Sequence, residues 1–240
     1  MIDLYTWSTP NGRKVSIMLE ECSLPYRVHP INIGKGEQHT PEFLAINPNN
    51  RIPAIVDADG PGGKPLTLFE SGAILIYLAE KVDRFLPHDA RQRILTLQWL
   101  MFQMGHIGPM FGQANHFNNY AKENVQYAKD RYNNEAVRLY RVLDNRLRDN
   151  TWIAGDEYTI ADMAIYPWTK SHADRGIDKA GYPNFMRWFT AMQARPAVQR
   201  NDKMATEIRA RMAKAAENRQ QINMFDTKDN AARLAQATHR

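Results

Sequence analysis

A chain of 240 residues with 43% hydrophobic content is long enough to bury one large core or two modest ones, so globular order is expected. Lys and Arg number 31 against 26 Asp and Glu, a net charge of +5 that favours anionic partners; the basic residues are nevertheless interleaved with acids, without zinc-finger spacing or an RNA-recognition aromatic motif, so no nucleic acid is expected. The single cysteine, Cys22, excludes an internal disulfide, a multi-cysteine zinc site and an enzyme-borne dithiol cycle, so any thiol chemistry uses a thiol brought from outside.

The opening Met-Ile-Asp-Leu-Tyr-Thr-Trp lacks the basic start and apolar run of a secretory signal, and no stretch is apolar for about 18 residues. A soluble, cytoplasmic protein without a membrane partner is expected. Ile2, Leu4 and Thr6 alternate with Asp3, Tyr5 and Trp7, which reads as a strand. The period then lengthens: Val15, Met18, Leu19 and Cys22 share one face of a helix, with Cys22 expected to be a buried, inert thiol. Tyr26 to Ile33 reads as a second strand, with Pro30 marking an edge or a bulge. Thr40-Pro41 has the chemistry of a helix start, and Pro48 follows the short helix it opens. Ile55-Val56 and Leu66-Thr67-Leu68 flank a run dense in turn residues, the pattern of an antiparallel hairpin. A helix begins near Ser71. The order βαβαββα over residues 1–82 predicts a small mixed sheet with helices on its faces.

Beyond a connector at 83–89 no strand signal appears, and residues 90–200 read as an all-helical domain. Ile94, Leu97, Met101, Ile107 and Phe111 indicate a long helix bent at Gly105, Gly108 and Pro109. A second follows from Val125 to Leu147, a third starts at Thr159-Ile160-Ala161-Asp162 with a near capping box, and a fourth covers 184–193. Residues 201–240 are polar and weakly amphipathic, read as a helix near 203–220 and a loose tail.

Chemistry concentrates where strands meet helices. Ser8-Thr9-Pro10-Asn11-Gly12 gathers hydroxyls, an amide and backbone N–H groups at a positive helix end, suited either to an anion such as a ligand's thiolate or simply to capping the helix. Glu70-Ser71-Gly72 offers a carboxylate for an ammonium and a hydroxyl with backbone donors for a carboxylate, and again also suits a cap. Met101, Phe102, Met104, Met110 and Phe111 suit either core packing or an apolar pocket. The seven histidines show no ligand spacing, so no metal is expected.

Taken together, these motifs resemble the glutathione transferase superfamily. Ile33-Gly34-Lys35-Gly36-Glu37-Gln38 and Asn47-Pro48-Asn49-Asn50-Arg51-Ile52-Pro53-Ala54-Ile55-Val56-Asp57 are similar to its bacterial Nu class, which includes disulfide-bond reductases and is similar to the yeast nitrogen-catabolite regulator. Trp152-Ile153-Ala154-Gly155-Asp156 with Thr159-Ile160-Ala161-Asp162 is similar to the superfamily's C-terminal signature. The resemblance implies a thioredoxin-like domain followed by a helical one, glutathione as cosubstrate and a homodimer. It implies that Thr9 and Asn11 contact the glutathione sulfur, Gln38 the glycyl carboxylate, and Ile52, before a cis Pro53, the cysteinyl unit. Glu70 and Ser71 would hold the γ-glutamyl end, and Arg131 would reach the neighbouring subunit's ligand. Three functions follow: reduction of disulfides, conjugation or cleavage of small aromatic electrophiles by the same thiolate, or a non-catalytic regulator or scaffold that keeps the fold.

Overall fold

The computed structural model describes residues 1–175 and 177–214, and these divide into two compact units. The first holds Met1–Ile74 together with the described residues from Arg200 onward; the second is Leu75–Gln199.

In the first unit β1 (Ile2–Thr6) buries Ile2, Leu4 and Thr6 on one face, as its alternation predicts. It pairs in parallel with β2 (Tyr26–Pro30) and antiparallel with β3 (Ala54–Asp57), which pairs antiparallel with β4 (Leu66–Phe69). The strand order is β2-β1-β3-β4. Pro30 therefore ends an edge strand, where its missing N–H breaks no internal ladder, and the strand expected to run to Ile33 gives way to two 3-10 turns at Ile33–Lys35 and Glu37–His39.

Between β1 and β2 lies α1 (Pro10–Cys22), whose Val15, Met18 and Leu19 are fully buried. Cys22 is half-buried, not enclosed as expected, because the helix stops there and Ser23 turns the chain at φ 53°. Between β2 and β3, α2 (Pro41–Ile46) is capped by Thr40, whose Oγ1 accepts from the Phe43 N–H. After β4 the chain enters α3 (Ser71–Val82).

The second unit is helical: α4 (Ala90–Phe102), α5 (Gly108–Asn119), α6 (Gln126–Arg148), α7 (Ile160–Thr169) and α8 (Pro183–Ala194). The expected bend between α4 and α5 is a single π turn, Gln103–Ile107. Pro109 carries no N–H for the preceding turn, and the helix widens there instead of breaking. The centre of this unit is aromatic: Phe111 stacks on Tyr140 at 4.8 Å between centroids, and Phe185 meets Tyr140 edge-on at 5.2 Å. No described helix is long and apolar enough to cross a membrane.

The helix expected near 203–220 starts earlier, as α9 (Pro196–Lys214), and residues beyond 214 lie outside the described ones. From Arg200 it lies along α1 through polar contacts. Arg200 pairs with Glu20 at 2.5 Å, Asp202 with Arg13, and Asn201 Nδ2 donates to Ser16 Oγ, while Arg209 Nε donates to Ser8 Oγ at 2.7 Å.

In α7 the capping box is complete, and it does more than cap. Asp162, wholly buried, accepts from the Thr159 N–H and Oγ1 and also from the Ile153 N–H and Trp188 Nε1, tying a loop and α8 to the start of α7. Burial pushes its carboxyl up to about 6 against the pull of those four donors, so at neutral pH it is ionised and fully engaged. Asp162→Ala strands several buried donors and removes the cap. We expect a loss of about 3 kcal/mol in unfolding free energy by denaturant titration.

Candidate functional site

The register of the sheet decides which loops meet. Thr6 lies opposite Pro30, Tyr5 opposite Ala54, and Ala54 opposite Phe69. The ends of β1, β2 and β4 and the start of β3 therefore share one edge of the first unit. From that edge emerge the turn before α1, the 3-10 turns with Gln38, the loop with Ile52 and Pro53, and Glu70-Ser71. Every candidate residue apart from Arg131 leaves the sheet there.

In the first turn Thr9 has extended backbone and caps α1, its Oγ1 accepting from the Gly12 N–H at 3.3 Å. Capping and ligand binding are thus compatible, since a hydroxyl that accepts through one lone pair keeps its proton to donate. Asn11 is half-buried in the first turn of α1, at the positive end of the helix. Gly12 is required by close approach: a Cβ there would lie 2.3 Å from the Trp7 carbonyl oxygen and 2.3 Å from Thr6 Oγ1. The Arg209 guanidinium holds the other side of the turn, donating to Ser8 Oγ and to the Ser8 carbonyl at 3.2 Å.

Gln38 is 3% exposed, and its Oε1 is buried without a partner among the described residues, an acceptor that only a hydrogen-bond donor can satisfy. Its turn is built by Asn32, whose N–H donates to Glu37 Oε2 at 2.7 Å and whose Oδ1 accepts from the Gly34 N–H. The peptide bond between Ile52 and Pro53 is cis, as the resemblance implies. The loop before it is pinned by buried Asn47, whose Nδ2 donates to the Arg51 carbonyl at 2.5 Å and whose Oδ1 accepts from the Asn49 N–H at 2.9 Å.

At the fourth junction Glu70 is exposed and held at φ 67°, a left-handed conformation that costs a long side chain about 1 kcal/mol or more. Its carbonyl accepts from the Ile74 N–H and starts α3, and Ser71 next to it is buried. Behind Ser71 stands Lys14 of α1, only 1% exposed, with Nζ donating to Ser71 Oγ at 3.1 Å. Burial pulls this ammonium from its ordinary 10.5 down to about 7, with Glu70 opposing the shift. At about 1.4 kcal/mol per tenfold change, that fall costs the ionised form on the order of 5 kcal/mol.

Arg131 belongs to the second unit. It is exposed on α6 and lines a cavity of about 660 Å³ with Met110, Tyr127, Tyr132, Glu135 and Arg138. A two-pronged bond from Arg138, at 2.7 and 2.8 Å, holds the Glu135 carboxyl below its ordinary range. The Met and Phe side chains of α4 and α5 divide: Phe111 is core, Met101 is exposed, and Met110 lines this cavity. Among the described residues no group of His, Cys, Asp or Glu is arranged to hold a metal.

Sequence reasoning missed Lys14, Asn47 and Arg209. Asn47 carried a usable signal, because Asn before Pro and followed by Asn-Asn favours side-chain bonds to neighbouring backbone. For Lys14, a lysine in an amphipathic helix reads as surface, and its burial appears only in three dimensions.

Known proteins share this fold. The glutathione S-transferase N-terminal domain family matches residues 9–81, and the glutathione S-transferase C-terminal domain family matches residues 96–196. The chain is 52% identical over 198 residues to the disulfide-bond oxidoreductase YfcG of Escherichia coli strain K12, covering 82% of this chain and 92% of that one. Among solved structures it superposes with a TM-score of 0.80 on a glutathione transferase from Burkholderia graminis, which carries two glutathione molecules per subunit; the two are 50% identical over 83% of this chain and 86% of the other. A glutathione transferase from Pseudomonas putida, carrying one glutathione disulfide per subunit, gives a TM-score of 0.79 at 47% identity, over 83% and 90% of the two chains.

Lys14 also has a consequence for stability. Between pH 7 and 10.5 its side chain is protonated in the unfolded chain and largely neutral in the folded one, so raising the pH through this window favours folding. Lys14→Met removes the buried charge at similar volume. The variant is expected to be at least as stable as the parent at pH 7, and the parent should gain on it by several kcal/mol as the pH rises to about 10, read from denaturant midpoints.

Proposed function

Because the chain belongs to the glutathione S-transferase family, as the two domain matches and its 50% identity to a glutathione transferase across most of both chains establish, we propose that it is a glutathione-dependent disulfide-bond oxidoreductase that works without an enzyme cysteine. The observation that carries this reading is the sheet edge, where the position a redox protein of this shape gives to cysteine holds Thr9 and Asn11. Glutathione is a reactant here, and the protein supplies its binding and activation.

The Thr9 hydroxyl and the Asn11 amide stand together at the start of α1, where the positive end of the helix favours a sulfur anion over a thiol. Lowering the thiol pKa by about two units corresponds to about 2.7 kcal/mol, within reach of a few charge-assisted hydrogen bonds. The thiolate bonds to one sulfur of a substrate disulfide as the other sulfur leaves and takes up a proton. A second glutathione thiolate then attacks the glutathione sulfur of the mixed disulfide, so two glutathiones are oxidised to glutathione disulfide and one substrate disulfide is reduced to two thiols.

The remaining residues position the peptide. Gln38 takes the glycyl carboxylate through its side-chain amide N–H, the one end of the amide that can donate to an anion. The Ile52 backbone beside Pro53 pairs with the cysteinyl unit, and Glu70 and Ser71 hold the ammonium and carboxylate of the γ-glutamyl end. In a homodimer, Arg131 reaches the other subunit's ligand; its exposure on α6 beside Tyr127, itself 76% exposed, supports a face that assembly covers. A cytoplasmic location, where glutathione is kept reduced, fits this use.

The test is glutathione-dependent reduction of a small dialkyl disulfide, run beside conjugation of an activated aromatic halide, with glutathione disulfide quantified. Fast reduction and slow conjugation are expected; the reverse overturns the assignment in favour of electrophile chemistry. Asn11→Ala is expected to lower kcat for reduction by roughly 10- to 100-fold with a smaller change in glutathione affinity, the pattern of an interaction made mainly with the anion. Unchanged turnover at saturating glutathione would contradict the role given to Asn11.

A further inference from the structure

We propose that Arg209 is a positioning residue for the reacting thiolate: from α9 it grips Ser8, fixes the turn that carries Thr9, and keeps a positive charge beside the place where the sulfur anion forms. The inference rests on the reading of Thr9 and Asn11 as the holders of the glutathione sulfur.

The placement follows from the direction of α9. Its partners on α1 descend in number as its own rise: Arg200 meets Glu20, Asn201 meets Ser16, Asp202 meets Arg13, and Arg209 meets Ser8 in the turn before the helix. The segment from Arg200 therefore runs against α1 and delivers Arg209 to its positive end, where Thr9 is the cap. Buried Ala205 and Ile208 fix the backbone on which Arg209 stands. Its guanidinium donates twice to one residue, from Nε to Ser8 Oγ at 2.7 Å and from a terminal nitrogen to the Ser8 carbonyl at 3.2 Å, a use of the planar fork that an ammonium cannot reproduce. Both acceptors are neutral, so neither cancels the charge. The positions three and four residues away along α9 are Ala205, Thr206, Met212 and Ala213, none of them acidic. Exposed Glu207 lies about 200° round the helix from Arg209 at 3.6 residues per turn. Near the start of α1, Arg13 is paired with Asp202, and Lys14 is enclosed in the core against Ser71, which follows exposed Glu70. A cation beside the positive end of a helix is opposed by the helix dipole, and an anion bound at the turn reverses that balance. Because Arg209 is exposed, its effect on the anion is moderate and sensitive to salt.

The experiment follows the ultraviolet absorbance of the thiolate of glutathione bound to the full chain as pH is varied, and measures kcat for disulfide reduction over the same range. Wild type, Arg209→Gln, Arg209→Lys and Arg200→Gln are compared, with circular dichroism checking that each is folded. Arg209→Gln is expected to raise the pKa of the bound thiol by about half a unit, so that kcat falls about threefold on the acid side of the profile and recovers once the thiol is fully ionised. Arg209→Lys, which restores the charge without the fork, should recover at least half of the shift. Arg200→Gln removes the ion pair at the far end of α1 and should leave the bound thiol's pKa unchanged. Raising the salt concentration should raise that pKa in wild type and do so less in Arg209→Gln. No shift in Arg209→Gln overturns the proposal. An equal shift in Arg200→Gln also overturns it, since α9 would then act only as a brace. A wild type that leaves the bound thiol at the pKa of free glutathione would instead overturn the sulfur-binding role of Thr9 and Asn11 beneath it.

Discussion

The site depends on one constraint, the pairing register of a four-stranded sheet. Because β1 and β2 are parallel, β3 runs against them and β4 runs with them, the chain leaves or enters the sheet four times at the same edge. Each crossing is a place where backbone groups lose ladder partners and other polar groups must take their place. A slip of one residue in β3 would turn Ile55 outward and Val56 inward, so the apolar alternation that fixes the core also fixes the loop carrying Ile52. Gly12 shows how tight the fit is, since α1 starts with no room for a methyl group against the Trp7 carbonyl.

The two units treat buried polar groups differently. In the second, Asp162 is surrounded by four donors and Asp144 accepts from the Phe185 N–H at 2.9 Å and from Asn184, so these groups hold helices together. In the first, polar groups at the sheet edge are arranged at a cost to folding: an ammonium in the core, a glutamate in a left-handed conformation and a buried amide oxygen without a partner. Concentration of such costs in one place is the mark of a binding site, where a ligand supplies the compensating contacts.

Much of this was legible in the sequence, for identifiable reasons. The period of two in Ile2, Leu4 and Thr6, the 3.6 period of Val15, Met18 and Leu19, and the Thr40-Pro41 and Thr159-Asp162 caps are local signals, and each element formed where its signal lay. Long-range polar contacts leave no such trace. The segment from Arg200 reads as a solvated tail because it is polar, yet Arg200, Asn201, Asp202 and Arg209 are spent on α1 and Ser8 through two ion pairs and two hydrogen bonds, beside which only the small apolar set of Ala205 and Ile208 is buried. Lys14 was invisible for the same reason. The π turn at Gln103–Ile107 was foreseen as a bend from Gly105, Gly108 and Pro109, but whether a helix breaks or widens at a proline depends on its neighbours.

The claim on which the account turns is that the reacting thiol comes entirely from outside the chain. Replacement of the only cysteine, Cys22→Ser, tests it most directly, with glutathione-dependent disulfide reduction measured on the folded variant. Retention of kcat/KM to within about twofold is the predicted result, since half-buried Cys22 lies at the far end of α1 from Thr9 and Asn11. A loss of tenfold or more in a variant that keeps its fold and still binds glutathione would contradict the account and give the chemistry to the protein's own thiol.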